Sequence, residues 1–215
     1  TWWRSLARGM AAYGTRHGAS LCGGDVVRAA DDGVTLSVTA WGAVDGDEVL
    51  ERGGGHVGDV LMVLGLPGRS AAGLERWLTT APEVPDDVCV WTHLSPEPPL
   101  EAGPWALAHG ATAGMDLSDG LAADAPRLAR SSDVSLVIDL DRLPEDPALP
   151  GVSPQVRALG GEDYGLMVLV PPAKVASFQA QGFVALGEAR PGSGEVTWRS
   201  CGEPVDLPDP WRHFP

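Results

Sequence analysis

The sequence predicts a globular protein of the α/β class, and three observations support this. Of its 215 residues, 44% are hydrophobic and 20% are charged, a balance that is typical of a chain with a sizeable core. From residue 60 onwards strand-like and helix-like patterns alternate, as in layered α/β proteins. No apolar stretch approaches the roughly 18 residues of a membrane-spanning helix.

The first part of the chain reads as one helix, two strands and a connection. Apolar residues at helical spacing predict a helix over residues 3–17. Residues 19–22 and the alternating, β-rich residues 34–41 predict two strands. The polar, glycine-rich residues 45–58 predict a connection between two domains.

The second part carries the alternating pattern. Residues 81–99 contain five prolines, which predicts an irregular segment apart from a short apolar patch at residues 88–91. Elsewhere the predicted strands are residues 60–64, 111–115, 134–138, 166–170, a segment near 184 and 195–199, and the predicted helices are residues 70–80, 101–109, 119–130 and 173–181.

The charge balance restricts the partners. The chain has 29 acidic and 15 basic residues, a net charge of −14. Binding to a nucleic-acid backbone requires clustered Lys and Arg, so we expect no nucleic-acid partner. Small phosphate ligands remain compatible with an acidic protein when divalent cations lie between its carboxylates and the phosphates.

The cysteines indicate a compartment. Cys22, Cys89 and Cys201 are far apart and lack the CxxC spacing. They therefore support neither a disulfide framework nor a zinc site, and a reducing cytoplasm is the simplest location. We expect a cytoplasmic protein with no membrane partner.

The segment ATAGMDLSDGL, residues 111–121, carries the most chemical information. It reads as an apolar strand ending in Asp116, followed by a helix that Ser118 is well placed to cap. Backbone N–H groups at a helix N-terminus bind anions, and Asp116 and Asp119 could hold Mg²⁺ beside a phosphate. The alternative is an ordinary helix cap with acidic residues in the first turn.

A second segment, LCGGDVVR, follows the first predicted strand. Gly23 and Gly24 would let the backbone approach a ligand closely, and Asp25 could coordinate a metal. The alternative is a simple Gly-Gly-Asp turn.

A third segment, LGGEDY, lies between a helical pattern and a strand. Glu162 and Asp163 on this glycine-backed loop are candidates for recognising a substrate hydroxyl or amine. The alternative is an acidic loop exposed to solvent.

The remaining candidates are weaker. GLPGRSAAGL, residues 65–74, lacks the lysine of a phosphate-binding loop and is interpreted as a turn into a helix. Arg52 is a lone base in a glycine-rich connection, where surface solvation is the alternative. Trp211 lies among polar neighbours near the C-terminal end and could stack on a ligand ring, or could dock the tail by hydrophobic contact.

Taken in order, these motifs resemble the thiamine-monophosphate kinase family of the aminoimidazole-ribonucleotide-synthetase-like superfamily. The order is GGD-xx-R, R-x-G-xxx-GD, G-x-PG-x-SAAGL, MDLSDGL-x-AD, IDLDRLP, LGGEDY and W-x-HF, and it covers nearly the whole chain. The resemblance implies a two-domain architecture of mixed sheets with helices packed on them. Residues 1–45 would be the remnant of an incomplete N-terminal ATP- and metal-binding domain, and residues 46–215 a C-terminal α/β domain.

The resemblance also implies an activity and a set of site residues. The family uses ATP and Mg²⁺ to convert thiamine monophosphate to thiamine diphosphate, usually as a homodimer. The residues implied are Gly24, Asp25, Arg52 and Ser118 for ATP, Asp25, Asp116 and Asp119 for the metal, and Glu162 and Trp211 for thiamine monophosphate.

The chain departs from the family pattern in three places. Val26 and Val27 stand where the family usually has two threonines, and Gly165 stands where it usually has an acidic residue. The family's Gly-Asp-Asp-Ala element would precede Thr1, so we expect a truncated kinase with negligible activity of its own. Two alternatives remain open, a non-catalytic remnant and a sibling enzyme that phosphorylates another acceptor.

Overall fold

A computed structural model describes residues 2–28, 33–44, 46, 49–80 and 86–210. Trp211 lies outside the described residues. By contacts between Cα atoms, the chain divides into two units, Thr1–Ala43 and Val44–Pro215. None of the described helices has the length and apolar character needed to cross a membrane. The assignment of residues 1–45 to an ATP- and metal-binding domain stays a prediction.

The first unit contains one helix, α1 (Trp2–Arg16), as the periodicity predicts. The predicted strands at residues 19–22 and 34–41 are wrong, because both segments are exposed and belong to no strand. A strand requires hydrogen-bonded neighbours, and alternation of side chains cannot supply them. In the described part of this unit neither segment pairs with a neighbouring strand.

The second unit is built on one mixed sheet of seven strands in the order β2-β4-β1-β5-β3-β6-β7. Neighbouring strands are antiparallel except β3 and β6, which run parallel. The sheet confirms the predicted fold class of mixed strands with helices packed on them. The strands are β1 (Val60–Leu64), β2 (Ala113–Leu117), β3 (Ser135–Asp139), β4 (Gly165–Val170), β5 (Val184–Arg190), β6 (Val196–Ser200) and β7 (Glu203–Val205).

Helices cover both faces of the sheet. Alternate residues of β1 point to opposite faces, so that Leu61 joins one buried cluster and Met62 the other. The first cluster includes residues of α5, and the second includes residues of α4 and α7. The helices of this unit are α2 (Arg69–Thr80), α3 (Val88–Leu94), α4 (Ala102–Ala108), α5 (Leu121–Ser131), α6 (Pro154–Leu159) and α7 (Val175–Ala180).

Helix α3 was not predicted. The prolines around it suggest an irregular segment, but the carboxylate of Asp87 accepts hydrogen bonds from the N–H groups of Cys89 and Val90, at 2.8 and 3.2 Å. This side-chain cap satisfies two N–H groups that a short helix would otherwise leave unpaired. Cys89 and Val90 are fully buried against the rest of the unit, which stabilises the helix further.

The boundaries around the MDLSDGL segment also differ from prediction. Strand β2 begins and ends two residues later than expected, so Asp116 lies within the strand. Helix α5 starts at Leu121 instead of Asp119. The connection between strand and helix is therefore the tight turn of residues 118–120.

Candidate functional site

Two of the predicted motifs lie against each other in the second unit. The N–H of Glu162 donates to the carbonyl of Ser118 at 2.7 Å, and the N–H of Tyr164 donates to the carbonyl of Leu117 at 3.0 Å. The acidic loop, residues 160–164, thus continues the pairing of β4 with β2 beyond the end of the strands. The structure brings Asp116, Ser118, Asp119 and Glu162 to one region.

Glycines make this approach possible. Gly120 has a φ of +98°, and a Cβ added there would lie 2.5 Å from the carbonyl oxygen of Gly160. A Cβ added to Gly161 would lie 2.9 Å from the carbonyl oxygen of Ser118. Neither position has room for a side chain, so the two loops contact each other through backbone atoms.

The two candidate metal ligands have different surroundings. Asp116 is exposed at the end of edge strand β2. The Asp119 carboxylate is half-buried, and its Oδ2 accepts from Nη1 of Arg127 at 2.6 Å. Arg127 is therefore a resident cation beside one of the two carboxylates, and the sequence motif does not include it.

Ser118 does not cap helix α5, contrary to the prediction. The N-cap position is Gly120, whose backbone conformation a serine would adopt only with strain, and it provides no side-chain cap. The fully buried Asp124, in the first turn of the helix, accepts instead from the N–H of Asp119 at 2.9 Å. One donor that the sequence assigns to a bound anion is thus already bonded inside the protein.

Asp124 is the buried member of a small, partly exposed charge network. Its Oδ1 accepts from Nη1 of Arg127 at 2.6 Å, so Arg127 bridges Asp124 and Asp119. Burial raises the pKa of the Asp124 carboxyl above its usual value, while the hydrogen bond from Asp119 and the charge of Arg127 oppose the rise. The network fixes the turn that carries Asp119.

Glu162 is the exposed carboxylate of the acidic loop. It adopts a φ of +65°, a left-handed conformation uncommon for a residue with a side chain and often found at functional sites. Its Oε2 lies 3.4 Å from Nδ1 of His93, and that nitrogen lies 3.0 Å from Oγ of the buried Ser70. A line of polar groups therefore links Glu162 to helices α3 and α2.

Asp163, the neighbouring carboxylate, has a structural role, contrary to the prediction of substrate recognition. Its two oxygens accept from the N–H groups of Gly68 and Ser70, at 2.6 and 2.7 Å, at the start of α2. Burial raises the pKa of this carboxyl to about 6, although backbone hydrogen bonds act in the opposite direction. Asp163 anchors the acidic loop to helix α2.

The GLPGRSAAGL segment is the turn into a helix that the sequence predicts. Gly68 has a φ of +89°, and a Cβ added there would lie 2.7 Å from the Cα of Arg157 in helix α6. The N–H groups at the start of α2 donate to Asp163, so they are not available to bind a phosphate. The segment positions the acidic loop from its other side.

Three further predicted site residues remain, of which Arg52 belongs to the second unit. The carbonyl of Arg52 accepts from Oγ of Ser132, beyond the C-terminal end of α5, while Ser118 precedes the N-terminal end. Arg52 also follows Glu51, whose carbonyl accepts from the N–H of Gly114 in β2 at 2.8 Å, two residues before Asp116. Gly24 and Asp25 are exposed residues of the first unit, where Oδ1 of Asp25 accepts from the N–H of Val26 at 2.8 Å.

The carboxylates here suit a magnesium ion only in company with a phosphate. Within the described residues, no group of three or more His, Cys, Asp or Glu side chains could hold a metal. Mg²⁺ is commonly held by one or two carboxylates together with phosphate oxygens and water. Asp116 and Oδ1 of Asp119 fit such a partial set, since Arg127 binds the other Asp119 oxygen.

Sequence reasoning missed Arg127, Asp124 and His93. Asp124 stands in the quoted MDLSDGL-x-AD motif, and its i, i+3 spacing to Arg127 on a helix is a signal that could have revealed the pair. His93 follows a proline-rich segment and shows no ligand spacing, so only the fold brings it to Glu162.

Comparison with known proteins gives one family match and several relatives. Residues 56–198 match the family described as AIR synthase related protein, C-terminal domain. The chain is 36% identical over 214 residues to the thiamine-monophosphate kinase of Mycobacterium tuberculosis strain H37Rv, covering 93% of this chain and 63% of the relative. It is 35% identical over 211 residues to the thiamine-monophosphate kinase of Halobacterium salinarum, covering 93% of this chain and 67% of the relative.

Among solved structures, the chain is similar to AaThiL complexed with AMPPCP and TMP. The TM-score is 0.66 and the sequence identity 30%, over 77% of this chain and 54% of that one. The chain thus spans between about half and two thirds of the length of these relatives.

Proposed function

We propose, on the premise that this chain belongs to the thiamine-monophosphate kinase family, that its protein transfers the γ-phosphoryl group of ATP to thiamine monophosphate. The products are ADP and thiamine diphosphate. The observation that supports the proposal is the backbone contact between the acidic loop, which carries Glu162, and the segment that carries Asp116 and Asp119. Such an arrangement can hold a donor and an acceptor side by side.

The relatives support the two substrates. AMPPCP is an analogue of ATP, and TMP in a protein of this kind is thiamine monophosphate, so the similar AaThiL structure contains both ligands of the proposed reaction. The curated relatives carry the same activity in their name. The chain covers only part of each of them, so the activity is assigned to the complete protein.

The loop after β2 is assigned to the donor. Ser118 would contact ATP, and Asp116 and Asp119 would hold Mg²⁺ against its phosphates. When bound, magnesium would neutralise charge on the phosphate oxygens that otherwise repel each other. Gly24 and Asp25 in the first unit would contribute to ATP and metal binding, and Arg52 would contact ATP.

The acidic loop is assigned to the acceptor. Glu162 would contact thiamine monophosphate, and Trp211 would do so from the C-terminal end. The acceptor atom is a phosphate oxygen, and a phosphate monoester with a second pKa of about 6 is largely ionised at neutral pH. The reaction then needs no strong general base, and in-line alignment of the two phosphates provides most of the catalysis.

We also propose a cytoplasmic homodimer. The first unit exposes many large apolar side chains, and exposed apolar surface is a common feature of protein interfaces. The most exposed are Val26 at 68%, Val27 at 80% and Trp41 at 77%. A second copy of the chain is the proposed partner.

The test is a coupled assay of thiamine diphosphate formation by the complete protein and by the 215-residue chain. We expect the complete protein to form the product only with ATP and Mg²⁺, and Asp116→Asn to lower its turnover about a hundredfold or more. Asp206→Asn, an exposed carboxylate beyond strand β7, is the control and should leave turnover unchanged. A complete protein that forms no thiamine diphosphate, or an Asp116→Asn variant with normal turnover at saturating Mg²⁺, would contradict the proposal.

A further inference from the structure

The R-x-G-xxx-GD motif of the sequence, residues 52–59, forms a loop that is closely packed on two sides. Its three consecutive glycines make this possible. A Cβ added to Gly53 would lie 2.9 Å from the carbonyl oxygen of Ser131. One added to Gly54, where φ is +112°, would lie 2.7 Å from the carbonyl oxygen of Thr112. The backbone of the loop therefore packs against the end of helix α5 and against the residue before strand β2.

The C-terminal end of this loop is held by a buried carboxylate. Asp59 is 4% exposed, and its Oδ2 accepts from the N–H of His56 at 2.8 Å and from Oγ of Thr112 at 2.6 Å. The carbonyl of Asp59 also accepts from the N–H of Ala189 in strand β5 at 2.8 Å. These hydrogen bonds fix residues 56–59 to the sheet.

The N-terminal end of the loop is held by one hydroxyl group. Oγ of Ser132 donates to the carbonyl of Arg52 at 2.8 Å and accepts from the N–H of Gly55 at 3.2 Å. Ser132 is the C-cap residue of α5, and its own N–H donates to the carbonyls of Leu128 and Ala129. The hydroxyl therefore joins the end of the helix to both ends of the Arg52–Gly55 segment.

This segment runs beside strand β2, which carries one of the candidate metal ligands. The carbonyl of Glu51 accepts from the N–H of Gly114 at 2.8 Å. A strand rises about 3.3 Å per residue, so Asp116 lies about 7 Å further along β2 and on the same face as Gly114. Arg52 is exposed. A nucleotide whose magnesium ion is held at Asp116 would therefore lie close to the backbone that carries Arg52.

We propose that Ser132 is a positioning residue for ATP and that it acts through Arg52. The inference rests on the proposed function, in which Arg52 contacts ATP, and it adds the residue that holds this arginine in place. A backbone that already has its binding conformation reduces the conformational entropy lost when a ligand binds. The apparent affinity for ATP then depends on the fraction of molecules in which the Ser132 hydroxyl keeps the loop in that conformation.

The test is a double-mutant cycle in the complete protein, measured by calorimetric titration with AMPPCP and Mg²⁺. Ser132→Ala should weaken binding about fivefold, as expected if the loop then keeps its binding conformation about one fifth of the time. Arg52→Ala should weaken binding about tenfold or more, because a charge-assisted hydrogen bond to the nucleotide is lost. Ser132→Ala added to Arg52→Ala should change the affinity by less than about twofold, because the arginine through which Ser132 acts is already absent.

Ser131→Ala, which removes an exposed hydroxyl one residue earlier, is the matched control and should leave the affinity for AMPPCP unchanged. The KM for thiamine monophosphate should be the same in Ser132→Ala as in the wild type. Wild-type affinity for AMPPCP in either single variant would overturn the proposal. So would a loss from Ser132→Ala that is as large in the Arg52→Ala background, or one accompanied by a higher KM for thiamine monophosphate, because both indicate a general structural role.

The coupled assay of thiamine diphosphate formation separates this proposal from the proposed function. If the wild type forms thiamine diphosphate and the effects of the two substitutions are independent, the kinase activity stands and the positioning role of Ser132 is wrong. If the two substitutions are coupled and the wild type binds AMPPCP without forming thiamine diphosphate, the positioning role stands and the kinase activity is wrong.

Discussion

The turn after β2 and the acidic loop before β4 each involve a carboxylate that binds backbone N–H groups near the start of a helix, but the carboxylate comes from a different place in each. In the acidic loop, residues 160–164, Asp163 itself binds the N–H groups that begin α2. In the turn of residues 118–120, the N–H of Asp119 is bound by Asp124 from inside the following helix. The acidic loop thus keeps one exposed carboxylate, Glu162, and the turn keeps Asp119, with Asp116 just before it.

These acidic motifs therefore contain two kinds of carboxylate. Buried Asp124 and half-buried Asp163 accept from backbone N–H groups and hold the loops in place. Asp116 and Glu162 are exposed and can meet a ligand. Substitutions of the first kind should change stability, and those of the second kind should change binding or turnover.

The largest effect on stability should come from Asp124→Ala. The change removes the acceptor of the Asp119 N–H and one of the two carboxylates that bind Arg127. Losing the buried carboxylate of this partly exposed network costs about 2–3 kcal/mol of unfolding free energy. Urea denaturation measures the loss, and Asp206→Ala, an exposed control, should stay within about 0.5 kcal/mol of the wild type. Equal stability of the two variants would show that Asp124 is not a structural carboxylate.

A smaller, pH-dependent effect should distinguish Asp163. Its folded-state pKa of about 6 lies above the ordinary 3.8, so the folded protein binds a proton there more readily than the unfolded chain. The stabilisation is fully present below about pH 4 and is lost as pH rises through about 6. Asp163→Asn cannot titrate, so the wild type should lose about 1–2 kcal/mol relative to it between pH 4 and 7.

Urea denaturation of both proteins across that pH range makes the measurement. All other ionisable groups are the same in both proteins, so their contributions cancel in the difference. A difference between the two proteins that does not change with pH would contradict the assignment of a raised pKa to this carboxyl.

The smallest effect should come from His93. His93→Ala removes the partner that lies 3.4 Å from the Glu162 carboxylate, a partly exposed contact worth a few tenths of a kcal/mol to about 1 kcal/mol. We expect the KM for thiamine monophosphate to rise about two- to fourfold, with the KM for ATP and kcat unchanged. His93→Gln, which keeps a donor, should restore most of the affinity. A fall in kcat with an unchanged KM would argue against a positioning role.

The elements that the sequence predicted well are those with strong local signals. Strand β1 is a short apolar run of the predicted length, and helix α2 has apolar residues at helical spacing, so both were placed within one residue. Helix α3 depends on one cap, Asp87, and lies in a segment whose prolines predict irregular structure. The prediction of two strands in the first unit is wrong because alternation of side chains shows that a segment could pair as a strand, but it does not show that a neighbouring strand is present.

The site was predicted only in part for the same reason. Motif order indicated that Asp116, Asp119 and Glu162 belong to one function, and the fold brings their loops together. Their partners, Arg127 and His93, come from other turns of helix, so their contacts follow from tertiary packing. Asp163 and Glu162 are adjacent and chemically alike, and only the direction of each side chain separates a structural group from an exposed one.

Gly120 lies against the backbone of Gly160, and Gly161 lies against the backbone of Ser118. Side chains differ in length and can change rotamer, whereas backbone atoms in van der Waals contact fix a distance that no rotamer can alter. The distance between the acidic loop and the turn of residues 118–120 is therefore fixed by backbone contacts and does not depend on the surrounding side chains. Both loops are then expected to move together, so a nucleotide bound at the turn of residues 118–120, as proposed, would also shift the position proposed for the acceptor.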